Sequence, residues 1–285
     1  MRNRATIQGL GLSLPYLIFA SGFVLFPLVF SVYLIFQRWD GMSAAVYVGL
    51  KNISRLFQDD LFYQSVLNTI IFLLINVPLQ IIFALFFAVL LNSIRFLSGL
   101  FRAIYFAPVV VSGVVVTIIW QQLYGYDNGV LNSLLSGIGI ARVPWLTSPT
   151  IAMPSIAIMA TWKNVGLYTA LFMVGLQDVP IDLHEAAIID GANAWKRFYR
   201  ITIPLLTPTM VLVVILSTIN GFSLFVEPYV MTGGGPMNST MSTLLYIYNQ
   251  AFYFGHFGYA AALGLFYAAI IFIVVIIQRR VLKEE

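Results

Sequence analysis

Charged positions divide this chain into long apolar stretches. No charged residue lies between Arg4 and Arg38, from Leu61 to Ile94, from Ala103 to Tyr126, from Ile201 to Val226 or from Phe257 to Gln278. A further stretch, Val143 to Gln177, is interrupted only by Lys163. Each holds the ~20 largely apolar residues that a helix needs to cross a bilayer core. The pattern predicts an all-α membrane protein with six transmembrane helices, at about 10–36, 67–92, 103–125, 151–176, 204–227 and 259–278. The first run is too long for the apolar part of a signal peptide, and no A-x-A cleavage site follows it, so it is expected to be a true span. The connections 37–66, 126–150 and 228–258 are too short to be separate domains, and residues 1–285 read as one transmembrane domain.

Composition agrees with this pattern. The chain is 60% hydrophobic and 9% charged, where a soluble domain carries roughly 25% charged residues. Too little polar surface exists to cover a water-soluble globule, so the bilayer is the expected solvent. There is no Cys, which removes disulfides, thiolate metal sites and Cys nucleophiles. His184 and His256 are far apart and no H-E-x-x-H occurs, so neither a metal site nor a catalytic set is expected. None of the lysines follows a Gly: Leu50-Lys51, Trp162-Lys163, Trp195-Lys196 and Leu282-Lys283. There is therefore no P-loop, and ATP hydrolysis of that kind needs a partner.

The net charge of +4 carries less information than the position of each cation, and no nucleic-acid partner is expected. With the N-terminus inside, six spans put ten Lys and Arg on the inner side: Arg2, Arg4, Arg95, Arg102, Lys196, Arg197, Arg200, Arg279, Arg280 and Lys283. Only Arg38, Lys51, Arg55 and Arg142 fall outside. The positive-inside bias puts both termini in the cytoplasm.

One inner segment, 178–204, is unlike a simple connection. After Pro180, Asp182 and Glu185 have capping-box spacing, so a short helix is predicted through Leu183, Ala186, Ala187 and Ile189 to Asp190. Gly191 suits its left-handed stop. A second short helix is expected from Asn193 to about Ile201, and Pro204 opens the fifth span. Small side chains at Ala186, Ala187, Gly191 and Ala192 permit close backbone approach and suit docking on another protein. The same residues also fit a solvated loop, with Glu185 only a cap and Gly191 only a stop. Spacing alone leaves both readings open.

The segment also resembles a known signature. Glu185-Ala186-Ala187, Asp190-Gly191-Ala192, Ile201 and Pro204 match the cytoplasmic E-A-A loop of binding-protein-dependent ABC importer permeases, with Ile203 where Leu is usual. The stretches YVGLKN (47–52), FRAIYFAP (101–108), DNGVLNSLL (127–135), TGGGPMNST (232–240), YIYNQAF (246–252) and FGYAAALG (257–264) resemble the carbohydrate branch, of the maltose or glycerol-3-phosphate first-permease type. The resemblance implies a type I ABC importer permease fold in a bacterial cytoplasmic (inner) membrane. It implies a heterodimer with a second sugar permease, two P-loop ATPase subunits that bind ATP and Mg, and an extracytoplasmic sugar-binding protein. No cofactor is then expected in this chain. Glu185 would contact the ATPase, and Gly191 would permit the bend.

Polar groups inside spans are costly and usually face a cavity. Trp162, Lys163, Asn164 and Tyr168 lie in the fourth span, and Ser217, Asn220, Gly221 and Leu224 share a face of the fifth, with Glu227 at its outer end. An aromatic surface with amides and hydroxyls suits a sugar. The resemblance puts substrate positions at Lys163, Asn164, Leu167, Ser217, Asn220, Gly221 and Leu224, with Trp162 beside them. The plain alternative is that Asn and Ser join helices while Lys163 snorkels or pairs. Lys163 is expected to interact with Glu227 or with a polar substrate group. A stand-alone secondary transporter needs titratable groups deep in its spans, and Lys163 has no acidic partner at its own depth in the sequence. An ABC permease for a non-sugar solute shares the E-A-A loop. A membrane-embedded enzyme lacks its nucleophile–base pair.

Overall fold

The computed structural model describes residues 12–93 and 98–282. Arg2, Arg4, Arg95, Lys283 and the start of the first expected span lie outside the described residues. In chain order the protein forms α1 (Leu12–Leu34), a ribbon of β1 (Gln37–Arg38) and β2 (Val46–Tyr47), and α2 (Lys51–Leu56). Then come α3 (Asp60–Ser93), α4 (Ser98–Val110), α5 (Gly113–Leu123), α6 (Val130–Gly137) and α7 (Ala152–Gln177). The short α8 (Ile181–Ile189) and α9 (Ala194–Arg197) lead to α10 (Thr207–Phe222) and α11 (Val226–Met231). The chain closes with α12 (Thr243–Tyr248) and α13 (Phe257–Val281).

Among the described residues, four helical stretches are long and apolar enough to cross a bilayer: α1, α3, Thr207–Met231 (α10 with α11) and α13. The third expected span, 103–125, is not one helix. It is the pair α4 and α5, bent by 95°. Pro108 has no N–H to donate inside α4, and Ser112 leaves the helical region at φ −50°, ψ 130° before Gly113 restarts the helix.

The helix α7 differs from the others. Its 26 residues reach about 39 Å, yet 15 of them are buried by the protein itself, which explains why it tolerates Thr161, Lys163, Asn164 and Thr169. Gly166 and Gly175 let neighbours close in. A Cβ on Gly166 would lie 2.4 Å from the Tyr105 carbonyl oxygen of α4, and one on Gly175 would lie 2.4 Å from Thr209 Oγ1 of α10. Helices in lipid gain little from apolar burial against each other, so such close approach and interhelical hydrogen bonds hold them. Asn76 Nδ2 of α3 donates to the Ala157 carbonyl (3.2 Å) and Thr161 Oγ1 (2.9 Å) of α7. Tyr124 OH donates to the Ser155 carbonyl at 2.9 Å, and Gln278 Nε2 to Thr218 Oγ1 at 2.9 Å.

The chain divides into two compact units, one comprising the residues up to Asp60 with Tyr246–Ile270, the other Leu61–Leu245 with Ile271 onward. In the first, the ribbon pairs Gln37 with Tyr47 and Arg38 with Val46 in antiparallel register. Asn52 Nδ2 ties it to α2 by donating to the carbonyls of Ile35 (2.7 Å) and Gln37 (2.8 Å). Asp59 accepts from the hydroxyls of Tyr246 and Tyr259. The second unit holds the main cores. One gathers Phe72, Tyr124, Ile156 and Met159, the other Ala84, Tyr168, Phe172 and Val213.

Candidate functional site

Two features stand out in the second unit. The first is the segment after α7. Pro180 precedes α8 at φ −62°, ψ 128°, and no side chain caps the helix. The expected Asp182–Glu185 capping box is therefore a misreading: α8 begins at Ile181 and draws Asp182 into its first turn. There its charge faces the free N–H ends, which is still favourable. The stop is a Schellman turn. Gly191 sits at φ +75°, Gly191 N–H donates to the Ile188 carbonyl (3.0 Å) and Ala192 N–H to the Ala187 carbonyl (2.8 Å). Asn193 Oδ1 then accepts from Lys196 N–H at 2.8 Å and caps α9. The helix continues π-wound through Phe198–Thr202, which contains Ile201, and Pro204 sits in the turn Ile203–Leu205 before α10.

Nothing covers α8. None of its residues is buried; Glu185, Ala186, Asp190 and Gly191 are exposed, and Ala187 and Ala192 half-buried. Ile181, Ile188 and Ile189 expose 70%, 54% and 86% of their surface. This short helix presents both its charges and its branched apolar side chains at the surface.

The second feature is a cavity of about 290 Å³ bounded by α3, α7, α10 and α11. Lys163, Asn164, Leu167, Asn220, Gly221 and Leu224 all line it. Ser217 stands behind the wall, bonded to the lining residue Gln80. Trp162 does not line it; its indole packs on Trp120 with ring centroids 5.4 Å apart. The aromatic surfaces come from Tyr168, held by Asn220 Nδ2 at 2.9 Å, and from Phe72.

Lys163 and Glu227 also meet there. The α10 helix ends at Ser223, Phe225 takes φ −142°, and α11 restarts the chain. That break swings Glu227 to Lys163, Nζ to Oε1 3.2 Å, with side chains only 15% and 11% exposed. The expected contact of Lys163 with Glu227 is present, and the bend between α10 and α11 near the outer end of the fifth span brings an acid to Lys163 where the sequence placed none at its depth. The ammonium also lies against the break of the third span, where a Cβ on Gly113 would come within 2.8 Å of Nζ.

Sequence reasoning overlooked α3. Phe72, Asn76 and Gln80 line the cavity, and Asn68 Nδ2 holds the 232–240 loop through the carbonyls of Asn238 (2.7 Å) and Met241 (3.0 Å). The signal was present: 68, 72, 76 and 80 are four apart on one helix face, and Asn76 and Gln80 are the polar residues of an otherwise apolar run from Ile70 to Leu91. Among the described residues no group of three or more His, Asp or Glu is placed to hold a metal.

Apolar helices around a polar cavity, with an exposed helical segment after α7, fit a membrane transport subunit. Residues 41–284 match the family of binding-protein-dependent transport system inner membrane components, and the chain belongs to it. It is 39% identical over 257 residues to the lactose transport system permease protein LacF of Rhizobium radiobacter, covering 88% of this chain and 85% of that one. It is 34% identical over 266 residues to the trehalose/maltose transport system permease protein MalF of Thermococcus litoralis, covering 93% and 90%. Its fold matches a chain in the crystal structure of a bacterial alginate ABC transporter in complex with an alginate pentasaccharide-bound periplasmic protein. That match has a TM-score of 0.83, 23% identity, and covers 99% of this chain and 96% of that one. The protein is an ABC importer permease, with sugar permeases among its relatives.

Proposed function

We propose that this chain imports a carbohydrate across a bacterial cytoplasmic membrane, forming half of the path with a second permease of similar size. The observation that carries the coupling is the bare α8 segment. It stops at Gly191, has no buried residue, and carries the E-A-A residues Glu185, Ala186 and Ala187. Its place is a cleft on a P-loop ATPase, two copies of which bind ATP with Mg and drive transport. Ile201 and Pro204 carry the movement of that loop into α10.

The topology that fits has six spans, with α4 and α5 together as the third and α7 as the fourth, and both termini in the cytoplasm. An extracytoplasmic binding protein delivers the sugar. The cavity supports the substrate class. Its wall offers amides at Asn76, Gln80, Asn164 and Asn220, hydroxyls at Tyr168 and Ser223, and aromatic faces at Phe72 and Tyr168. Its two charges, Lys163 and Glu227, neutralise each other. A neutral polyol pairs its hydroxyls with such groups and lays its C–H face on the rings. At about 290 Å³ the cavity is at the small end of ligand pockets, which run from about 300 Å³ upward, so it suits one or two sugar rings.

The test is co-purification. The tagged chain, extracted from its host in mild detergent, should bring two copies of a P-loop ATPase and one other permease, identified by mass spectrometry. Recovery of the chain alone under every extraction would remove the importer assembly.

A further inference from the structure

The first unit contains a second pocket, of about 450 Å³, which the transport reading does not use. Three cations converge on it: Arg38 from β1, and Lys51 and Arg55 from α2. Trp39 and His256 complete the wall, and the one carboxylate present is Asp40. That carboxylate is already engaged. Its Oδ1 accepts from Met42 N–H (3.0 Å), Ser43 N–H (2.8 Å) and Ser43 Oγ–H (2.8 Å), closing its own turn. Among the described residues, no ion pair is made by Arg38, Lys51 or Arg55.

The walls are held firmly. Arg55 Cζ sits over the Tyr259 ring, 4.0 Å from its centroid, and its Nη2 donates to Gln250 Oε1 at 3.4 Å. Trp39 accepts on its carbonyl from Phe257 N–H at 3.0 Å, and Gly258 lets the chain pass so close that a Cβ there would strike the Gln37 carbonyl. Partial burial first, and Arg55 second, hold the His256 imidazole below its ordinary pKa. Three cations line a concave wall whose one carboxylate, Asp40, is held in its own turn, while Asp59 behind the wall is taken up by the Tyr246 and Tyr259 hydroxyls, and such a set suits a charge-assisted acceptor.

We infer that the pocket between β1, α2 and the start of α13 is a binding site for a compact oxyanion of carboxylate or phosphate type, separate from the translocation cavity. Two sources share that chemistry, a free anion and a phospholipid headgroup. The test uses the permease purified with its subunits in nanodiscs of phosphatidylcholine, titrated calorimetrically with inorganic phosphate and with galacturonate at constant ionic strength. Saturable binding is expected, weakened at least about tenfold in Arg38→Gln/Lys51→Gln, since losing one charge-assisted bond is worth that much. Lys51→Arg should retain it, and Arg142→Gln, which removes a cation elsewhere on the surface, should leave it unchanged. If the soluble anions give no heat, phosphatidylglycerol retained by the wild type and lost from the double variant would assign the site to a headgroup. The inference is overturned if neither soluble anion nor phosphatidylglycerol binds, or if binding survives Arg38→Gln/Lys51→Gln. Because the pocket lies outside the cavity, either result leaves sugar import standing.

Discussion

The Lys163–Glu227 pair gives the sharpest energetic expectation. At 3.2 Å the bare attraction is about 5 kcal/mol at an effective dielectric of 20. Desolvation offsets most of it, so the pair is not a large net stabiliser. Breaking it is another matter. Lys163→Met leaves an unpaired carboxylate in the cavity wall, and Glu227→Gln leaves an unpaired ammonium there. Removing one partner of a buried pair costs about 3–5 kcal/mol. With 15% and 11% of the side chains still exposed, the low end applies, about 3 kcal/mol. At 2–4 °C per kcal/mol, each single variant should melt about 6–12 °C below the wild type. The double variant Lys163→Met/Glu227→Leu should recover most of that loss, because neither charge remains stranded. Thermal unfolding of the purified importer reads all four proteins as a double-mutant cycle. A coupling energy under about 0.5 kcal/mol would refute the reasoning, since contacting charges in one network couple by more than that. Sugar uptake follows the same logic: the neutral double variant should import, whereas the singles should not import at the wild-type rate.

Gly191→Ala meets no atom within 4 Å, so its whole cost is the left-handed backbone, about 1–2 kcal/mol. It should lower ATP-driven uptake, with Gly191→Asn milder, and the reverse order would contradict the stop. Gly166→Leu forces a side chain against the Tyr105 carbonyl and should lower the melting temperature, overpacking costing about 1–3 kcal/mol. Gly137→Ala, in open space, should be neutral, and equal melting of the two would count against close α4–α7 packing. Asp40 has its carboxyl lowered to about 2 from 3.8 by hydrogen bonds from Ser43 N–H, Met42 N–H and the Ser43 hydroxyl. A depressed carboxyl helps the fold above its unfolded pKa and loses that help as pH falls through the folded one. Hydrogen exchange in residues 40–43 should therefore be protected above about pH 4 and lose protection toward pH 2; flat protection across that window would remove the turn's dependence on the carboxylate.

Much of the fold can be read from where charges are missing. The runs between Arg4 and Arg38 and between Asp60 and Arg95 place α1 and α3, and the last apolar run before Arg279 places α13, because lipid excludes charge over a fixed thickness. The bend between α4 and α5 was not legible. Pro108, Ser112 and Gly113 sit in an otherwise apolar run, and a membrane helix tolerates Pro whenever neighbours re-satisfy the backbone. In the cavity, Lys163 and Asn164 announce themselves as polar residues in a span, whereas the Glu227 contact depends on the break after Ser223. That break is a tertiary event with no local marker beyond Gly221 and Ser223. Asn76 and Gln80 needed only a helical count along α3. The stop at Gly191 was readable because one residue type satisfies it. The cap at Asp182 was not, because Asp suits both the cap and the first turn.

The central claim is that α8 docks on a separate ATPase, and the chain offers a direct test because it contains no cysteine. Ala186→Cys creates a single thiol on an exposed helix. In host membranes, a short thiol-to-amine cross-linker applied to this variant should join the chain to a P-loop ATPase, identified by mass spectrometry. Cross-linking should fall when Glu185→Lys is added. If the thiol reacts with cross-linker yet captures no ATPase, while the chain remains in the membrane and active in uptake, the coupling role of this loop is wrong.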